Sequence, residues 1–171
     1  MGDVARINSG KLTFERVKVD LSELVSEELQ NVLKAFGKPP EWAERRLEKD
    51  VIGVWGKTEI TKAVRNLLNN AIKFGEGKPF FVSVSREGTY AKLAIQDHGI
   101  GISPENQSKI FEYFERGISI THYGGFGLGL YTAQSFVSAH GGSIQVKSQI
   151  GFGSLFTVLI PLNPTRTASG K

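Results

Sequence analysis

The sequence predicts an α+β fold in which one sheet is covered on one face by helices. Apolar residues recur at helical spacing in three segments, 21–33, 60–72 and 128–137. Two further segments, 80–96 and 143–160, alternate with a period of two on either side of a glycine-containing turn, which is the pattern of a β-hairpin. Because strands and helices do not follow one another in a regular βα alternation, a doubly wound parallel sheet is not expected.

Composition fits one globular domain and narrows the class of ligand. The 171 residues are 40% hydrophobic and 22% charged, and they include no cysteine, which excludes disulfides and thiolate metal sites. A net charge of +4 without a basic run suits a small anionic ligand or simple solubility, and it gives no support for nucleic-acid binding. No apolar stretch approaches the ~20 residues of a membrane span, and the first residues given lack the apolar region of a signal peptide. We therefore expect a cytoplasmic domain that makes no membrane contact itself, even if its parent protein is membrane-anchored. We also expect the isolated domain to be a monomer.

After the first ten residues, the sequence predicts a strand and a packing helix. Residues 14–19 alternate as a short strand, and Asp20 then offers an N-cap, with Glu23 in the capping-box position. The helix is expected to end near Gly37. Its apolar stripe consists of Leu21, Leu24, Val25, Leu29, Val32 and Leu33.

A second helix is predicted to begin at Thr58, which is a suitable N-cap, and to run to about Phe74. A weaker pattern ahead of it suggests short strands at 44–47 and 51–54. The helix has a broad apolar face made of Ile60, Val64, Leu67, Leu68, Ala71 and Ile72.

The second half of the chain is predicted to contain two hairpins and two helices. One helix begins at Ser103, with proline at its first position, and ends near Phe111. Another runs from Gly127 to His140 and is closed by a glycine pair. The four strands are expected at 80–86, 90–96, 143–148 and 155–160.

The helix that begins near Thr58 also carries a polar face. Asn66 and Asn70 are one turn apart, and Lys73 follows three residues later, so that the three side chains share one side of the helix. Two carboxamides suit a hard cation that keeps water and phosphate oxygens, and the ammonium group suits a phosphate. A solvated polar face without a ligand would show the same residues.

Two glycine-spaced turns follow. Asp97 precedes Gly99 and Gly101, and a carboxylate there suits an exocyclic amine beside a slot for a flat base, although an ordinary Asp-Gly turn has the same pattern. Gly127 and Gly129 belong to the second turn, which leads into a helix where backbone N–H groups can bind phosphates or which simply packs. Neither turn is a Walker loop, since no Gly-Lys-Ser/Thr follows, nor a Rossmann fingerprint, since no βαβ unit surrounds it.

The order of these motifs is more specific than any one of them. An Asn-x-x-x-Asn-Ala helix is followed by Asp-x-Gly-x-Gly-Ile, by Phe111-x-x-Phe114 with Arg116, and by Gly-x-Gly-Leu-Gly-Leu. Over about residues 4–162 this order resembles the N, G1, F and G2 boxes of the ATP-binding catalytic domain of sensor histidine kinases, within the wider gyrase, chaperone and MutL-like ATPase superfamily. The resemblance implies a Bergerat-type two-layer α/β sandwich, with a mixed sheet of about five strands covered by three main helices, and it implies ATP and Mg²⁺ as ligands.

The same resemblance implies a role for each site residue. Asn70 would be the Mg²⁺ ligand, Asn66 a polar partner near the triphosphate, and Lys73 a phosphate contact. Arg116 would reach either the γ-phosphate or the phosphoacceptor site, and Asn66, Lys73 and Arg116 would take part in transfer. Residues 115–126 would form an ATP lid that is the least ordered part of the core without nucleotide. The other implied nucleotide contacts are Asp97, Gly99, Gly101, Ile102, Phe114, Gly125, Gly127, Leu128 and Gly129.

The implied reaction is transfer of the γ-phosphate to a histidine outside this chain. Residues 1–10 would be the remnant of a preceding dimerisation helix and linker, 11–162 the ATP-binding catalytic domain, and 163–171 a disordered tail. The dimerisation and phosphoacceptor domain of the same parent kinase would supply the histidine, and a response-regulator receiver domain would act downstream. The chain's own histidines lack the family's His-Glu or His-Asp context, and only one of them is a candidate for phosphate contact; they are His98, His122 and His140, of which His122 is that candidate.

Three alternatives share this pocket. ATP hydrolases of the superfamily carry a glutamate general base one turn before the magnesium asparagine, where this chain has Asn66, which cannot take a proton. An anti-sigma-type Ser/Thr protein kinase would differ in its acceptor. A non-catalytic nucleotide-binding module would bind without transfer.

Overall fold

The computed structural model of the chain describes residues 3–8, 12–112 and 128–164. Within these ranges the helices are α1 (Asp3–Asn8), α2 (Leu21–Ala35), α3 (Lys57–Lys73), α4 (Pro104–Gln107) and α5 (Gly129–Ala139). The strands are β1 (Arg16–Asp20), β2 (Ala43–Leu47), β3 (Ile52–Gly56), β4 (Phe80–Glu87), β5 (Tyr90–Gln96), β6 (Ser143–Gln149) and β7 (Gly153–Pro161). Short 3₁₀ turns occupy Pro40–Trp42 and Lys109–Phe111.

A five-stranded mixed sheet forms one layer, with strand order β2-β4-β5-β7-β6. Strand β2 pairs parallel to β4, and the remaining pairs are antiparallel. Helices α2, α3 and α5 form the other layer, so the predicted α+β sandwich of about five strands and three main helices is confirmed. Both predicted hairpins, β4–β5 and β6–β7, are present.

The core lies between the two layers, because the strands present alternate residues to the helices. All six residues of the predicted α2 stripe are buried. They pack with the apolar face of α3 and with the helix-facing strand residues Phe80, Val82, Val84, Ala91, Leu93, Ile95, Ile144, Phe156, Val158 and Ile160.

The start of α2 follows its local signals. The Asp20 side chain accepts a hydrogen bond of 3.1 Å from the Glu23 N–H, as the capping position predicts. Gly37 has a φ of +68° just beyond the helix, a conformation that glycine adopts without strain.

The start of α3 differs from the prediction. Thr58 is not the N-cap; the helix begins at Lys57, and Gly56 occupies the cap without a side-chain hydrogen bond. The Gly56 N–H instead donates to Nε2 of His140, at 2.9 Å. A tertiary contact therefore satisfies the backbone donor just ahead of this helix, and the sequence around Thr58 contains no sign of it.

Two other boundaries also move. Strand β1 begins at Arg16 because Phe14 leaves the strand and stacks on the His140 ring, with ring centroids 4.3 Å apart. The helix predicted from Ser103 to Phe111 is only one α-helical turn, α4, followed by a 3₁₀ turn.

A small second sheet, β1–β3, pairs antiparallel beside the main one. It is joined to the end of β7 by two hydrogen bonds of 2.8 Å, from the Val54 N–H to the Leu162 carbonyl and from the Trp55 indole N–H to the Pro161 carbonyl. None of the helices in the described parts of the chain is long and apolar enough to cross a membrane.

Candidate active site

Helix α3 contacts two other elements of a candidate site, the start of α5 and the loop that follows β5. Near its middle, the Asn66 side chain donates a hydrogen bond of 3.1 Å to the carbonyl of Gly129, the first residue of α5. At its C-terminal cap, the Phe74 carbonyl accepts the Ile100 N–H at 3.2 Å. Phe74, the C-cap residue, is eight positions after Asn66, which corresponds to a rise of about 12 Å along the helix axis. One rigid element therefore sets the spacing between the start of α5 and the loop that follows β5.

That loop, residues 97–102, begins at a buried carboxylate. Asp97 is 5% exposed, and its carboxylate accepts a 3.0 Å hydrogen bond from the Gly99 N–H. Burial raises the pKa of the Asp97 carboxyl above its ordinary value, while the N–H groups of Gly99 and Ser154 and the charge of His98 act in the opposite direction. Such a carboxylate is available to accept a hydrogen bond from a ligand that enters the site.

The two glycines of the loop allow its close packing. A Cβ on Gly99 would collide with the Phe74 carbonyl and lie 2.7 Å from the Gly75 Cα. Gly101 has a φ of +75°, and a Cβ there would meet the backbone of Gln149 and Ile150 in the β6–β7 turn. The 97–102 loop is thus held between the end of α3 and the β6–β7 hairpin.

Asn70 and Lys73 occupy the C-terminal half of α3. Asn70 is 7% exposed, and its side-chain nitrogen is the one buried side-chain polar atom in the described ranges that has no hydrogen-bond partner. Lys73 is exposed in the last turn and forms no ion pair with another described residue. A buried carboxamide with an unsatisfied atom beside a free ammonium group suits a polar, anionic ligand.

Three candidate functional residues were not predicted from the sequence; they are Gln107, Ser148 and Ser154. Ser154 exchanges two main-chain hydrogen bonds with Asp97, of 2.9 and 3.3 Å, and the Ser148 hydroxyl accepts the Ile102 N–H at 2.7 Å. Gln107 donates from its side chain to the carbonyls of Ile102 and Ser148, both at 3.0 Å. A signal existed for the serines, since each ends an alternating apolar series, Ile144-Val146-Ser148 and Ser154-Phe156-Val158.

The structure places the described candidates at two positions along α3, near its middle and at its C-terminal end. Asn66 meets Gly129, with Leu128 as the residue just before α5, and the loop residues Asp97, Gly99, Gly101 and Ile102 lie beyond the C-terminal end of the helix. The remaining sequence candidates lie outside the described residues; they are Phe114, Arg116, Gly125, Gly127, His122 and the predicted lid, 115–126.

The two described histidines differ in environment. His98 is exposed between Asp97 and Gly99. His140 is fully buried, with one ring nitrogen 2.7 Å from the Phe136 carbonyl and the other accepting the Gly56 N–H. His140 therefore has a structural role, as expected.

Comparison with known proteins assigns the family. A model described as histidine kinase-, DNA gyrase B- and HSP90-like ATPase matches residues 56–164, a range that contains every described site residue. The chain belongs to this family. Within it, the sequence and fold are those of the catalytic ATPase domain of a two-component sensor histidine kinase.

Individual relatives of this histidine kinase-like ATPase domain agree. The circadian input-output histidine kinase CikA of Synechococcus elongatus is 36% identical over 166 residues, which are 93% of this chain and 22% of CikA. The mycobacterial sensor histidine kinase MprB has a similar structure, with a TM-score of 0.67, 25% identity and coverage of 88% of this chain and 99% of that chain. A nucleotide-free catalytic domain of the histidine kinase ThkA has a TM-score of 0.69 at 23% identity, over 88% of this chain and 98% of that one. The chain spans about a fifth of the length of CikA.

Proposed function

We propose that this domain binds ATP together with Mg²⁺ and positions the γ-phosphate for transfer to a histidine on a dimerisation domain outside this chain. One observation carries the proposal: α3 connects a loop that begins at a buried carboxylate with the first turn of α5, and Asn66, Asn70 and Lys73 lie along the same helix. The spacing suits a ligand with a base at one end and phosphates at the other.

Asp97 is the proposed contact for the base. Its carboxylate accepts hydrogen bonds from N–H groups, which matches the exocyclic amine of adenine. The start of α5, at Leu128 and Gly129, is the proposed phosphate end, where backbone N–H groups of the first turn lack helical partners. Lys73 would neutralise part of the triphosphate charge.

Asn70 fits a Mg²⁺ ligand. Its carboxamide is buried, and the neutral carboxamide oxygen suits a hard cation that also binds phosphate oxygens, while the unpartnered side-chain nitrogen is a donor that suits a phosphate oxygen. When bound, Mg²⁺ neutralises charge on the phosphates. Asn70 would hold it, while the side chains around it orient the triphosphate for in-line attack.

Asn66 favours transfer over hydrolysis. A carboxamide cannot act as a general base, and the Asn66 side-chain nitrogen is already bonded to the Gly129 carbonyl. Activation of water by this residue is therefore not expected. Arg116, Phe114, Gly125 and Gly127 remain predicted contacts, and so do the domain boundaries at residues 10 and 162.

The proposed partners are the dimerisation and phosphoacceptor domain of the parent kinase and, downstream, a response-regulator receiver domain. The proposed location is the cytoplasm, where ATP is available. CikA is itself described as a histidine kinase, which supports this assignment for a chain that is 36% identical to it.

Transfer of a labelled γ-phosphate tests the proposal. The chain is incubated with Mg²⁺, γ-labelled ATP and a histidine-bearing dimerisation domain, and a second reaction uses the same domain with its histidine replaced. We expect acid-labile label on the intact acceptor only, and none on this chain. Acid-stable label would support the Ser/Thr kinase alternative, acceptor-independent phosphate release would support a hydrolase, and nucleotide binding without transfer would support a non-catalytic module.

A further inference from the structure

Three polar side chains form a row across the end of the sheet. Gln96 of β5 pairs with Leu155 of β7, so Asp97 and Ser154 are the next opposed pair, and Ser154 is in turn opposite Ser148 of β6. Directly opposed residues in antiparallel strands project to the same face of the sheet. Asp97, Ser154 and Ser148 therefore follow one another on the face that carries the buried apolar residues.

The Ser148 hydroxyl has a complete set of hydrogen-bond partners. Its oxygen accepts the Ile102 N–H at 2.7 Å and is 2.8 Å from the Gly153 carbonyl and 2.7 Å from the Ser154 hydroxyl. A carbonyl cannot donate, so the single Ser148 hydrogen is directed at Gly153. The contact with Ser154 is then satisfied only if the Ser154 hydroxyl donates to Ser148.

This assignment makes the Ser154 hydroxyl a hydrogen-bond acceptor for any further partner. Its only hydroxyl hydrogen is used toward β6, so its oxygen retains lone pairs alone for any further partner. Ser154 is 5% exposed and lies beside the Asp97 carboxylate, which also accepts hydrogen bonds. Two neighbouring acceptors match an exocyclic amine, which has two N–H groups, and they oppose a carbonyl oxygen at the same position.

Ser148 also fixes the far end of the 97–102 loop. Ser154 holds the loop at Asp97 through main-chain bonds, and Ser148 holds it at Ile102 through its hydroxyl. Gln107 bridges the carbonyls of Ile102 and Ser148, but it has no hydrogen bond to Ser154 among the described contacts. Ser148 and Gln107 therefore both hold the 97–102 loop in place. Between these two residues, only Ser148 determines that the Ser154 hydroxyl acts as an acceptor.

We infer that Ser148 is a positioning residue that makes the site selective for 6-aminopurine over 6-oxopurine nucleotides, by fixing the 97–102 loop and holding Ser154 as an acceptor. The inference rests on the proposed function, since it assumes that a purine base binds at Asp97. Ser148 itself is not required to touch the base. A serine with only a structural role near the end of strand β6 would influence stability without influencing the choice between the two bases.

Binding of ATP and of inosine triphosphate, a 6-oxopurine nucleotide, tests this selectivity. Both dissociation constants are measured with Mg²⁺ by calorimetry for the wild-type chain and for Ser148→Ala, Ser148→Thr and Gln107→Ala. We expect Ser148→Ala to reduce the preference for ATP about two- to tenfold, because the Ser154 hydroxyl becomes free to donate to the 6-oxo group. Ser148→Thr keeps the hydroxyl and should keep the preference, and Gln107→Ala should weaken both ligands without changing their ratio.

Amide hydrogen exchange of the nucleotide-free chain provides an independent readout. The Ile102 amide should exchange faster in Ser148→Ala than in the wild type and Ser148→Thr. A wild-type ratio of affinities in Ser148→Ala, or an unchanged Ile102 exchange rate, would overturn the inference. Failure of the wild-type chain to bind either triphosphate would instead overturn the proposed function, and the exchange rates would still decide whether Ser148 holds the loop.

Discussion

His140 joins the end of α5 to the start of α3. The ring is fully buried, stacks on Phe14 with an interplanar angle of 10°, and accepts the Gly56 N–H at Nε2. Its other nitrogen, Nδ1, is 2.7 Å from the Phe136 carbonyl and donates to it. These bonds require the neutral ring protonated at Nδ1, because a protonated Nε2 cannot accept. Burial lowers the pKa of His140, with the charge of Arg16 acting in the same direction and Phe136 and Glu59 opposing it.

Stability is therefore expected to fall as the pH falls. The unfolded chain takes up a proton at this histidine below about pH 6.5, whereas the folded chain resists protonation until a lower pH. Acidification from pH 7.5 to 5.5 should thus favour unfolding. His140→Gln should reduce the free energy of unfolding at pH 7.5 by about 1–3 kcal/mol, through loss of the buried bonds, and should flatten its pH dependence.

Urea unfolding at several pH values measures both effects. The wild-type chain is the reference, and the two proteins differ only at position 140. Asp97 acts in the opposite sense, because its carboxyl pKa is raised in the folded state and the folded state therefore loses stability as the pH rises, but Asp97 is present in both proteins and cancels in the comparison. A wild-type slope in His140→Gln would contradict the assigned role.

Asp97→Asn separates stability from binding. The buried carboxylate is disfavoured by desolvation, and an amide can still accept the Gly99 N–H. Without nucleotide, the variant should therefore be more stable at pH 7.5 by about 1 kcal/mol. ATP affinity, measured by calorimetry, should fall about tenfold or more because a charged acceptor is lost. Asp50→Asn, an exposed control with a φ of +61°, should change neither quantity. Equal affinity in Asp97→Asn and the wild type would refute the assignment of Asp97 to the base.

At the level of whole elements, the sequence predicted correctly those helices and hairpins that are determined by interactions between residues close together in the chain. The α2 stripe, its cap at Asp20 and both hairpins needed only periodicity, a capping side chain and glycine turns. The N-cap of α3 was wrong because its partner, His140, is 84 residues from Gly56. Pairing of β1 with β3 was not predicted for the same reason, since it depends on contacts remote in sequence.

The ends of the elements also decide how the 97–102 loop packs. Gly99 lies against the backbone of Phe74 and Gly75, which cannot move without disturbing the C-cap of α3. Gly99→Ala should therefore cost about 1–3 kcal/mol of unfolding free energy. Gly129→Ala is the matched comparison, because a Cβ there would be 3.6 Å from the Asn66 side chain, an ordinary contact at the first residue of α5.

In the same urea experiments, Gly129→Ala should be neutral or stabilising by up to about 1 kcal/mol, since alanine favours helix more than glycine. Similar stabilities for the two variants would show that the 97–102 loop is not held by the end of α3.

At the scale of the whole molecule, the site is assembled from elements far apart in the chain. The order of the sequence motifs identified α3, the 97–102 loop and the start of α5, and the structure shows that α3 contacts both of the others. The supporting contacts of Ser148 and Gln107 were not predicted, because polar residues at strand and helix ends are common and their partners depend on the assembled fold. The order of the motifs therefore predicts which elements form the site, but it does not predict the hydrogen bonds that hold those elements in place.

Because the ligand would bridge these elements, binding should stabilise the entire domain. At a ligand concentration of 100 times the dissociation constant the gain is about 2.7 kcal/mol. For a chain of this length that corresponds to a rise in Tm of about 5–10 °C. Removal of Mg²⁺ by a chelator should abolish most of the rise, since ATP would then bind without the ion that Asn70 is proposed to hold.

Thermal denaturation of Asn70→Ala and Asn69→Ala, with and without Mg-ATP, separates the site from the helix. The two asparagines are adjacent on α3, but Asn70 is buried with an unsatisfied side-chain nitrogen and Asn69 is half-buried. Asn69→Ala should keep the ligand-induced rise, and Asn70→Ala should lose it while retaining a cooperative transition. Loss of the rise in both variants, or in neither, would mean that Asn70 has no particular part in binding Mg-ATP.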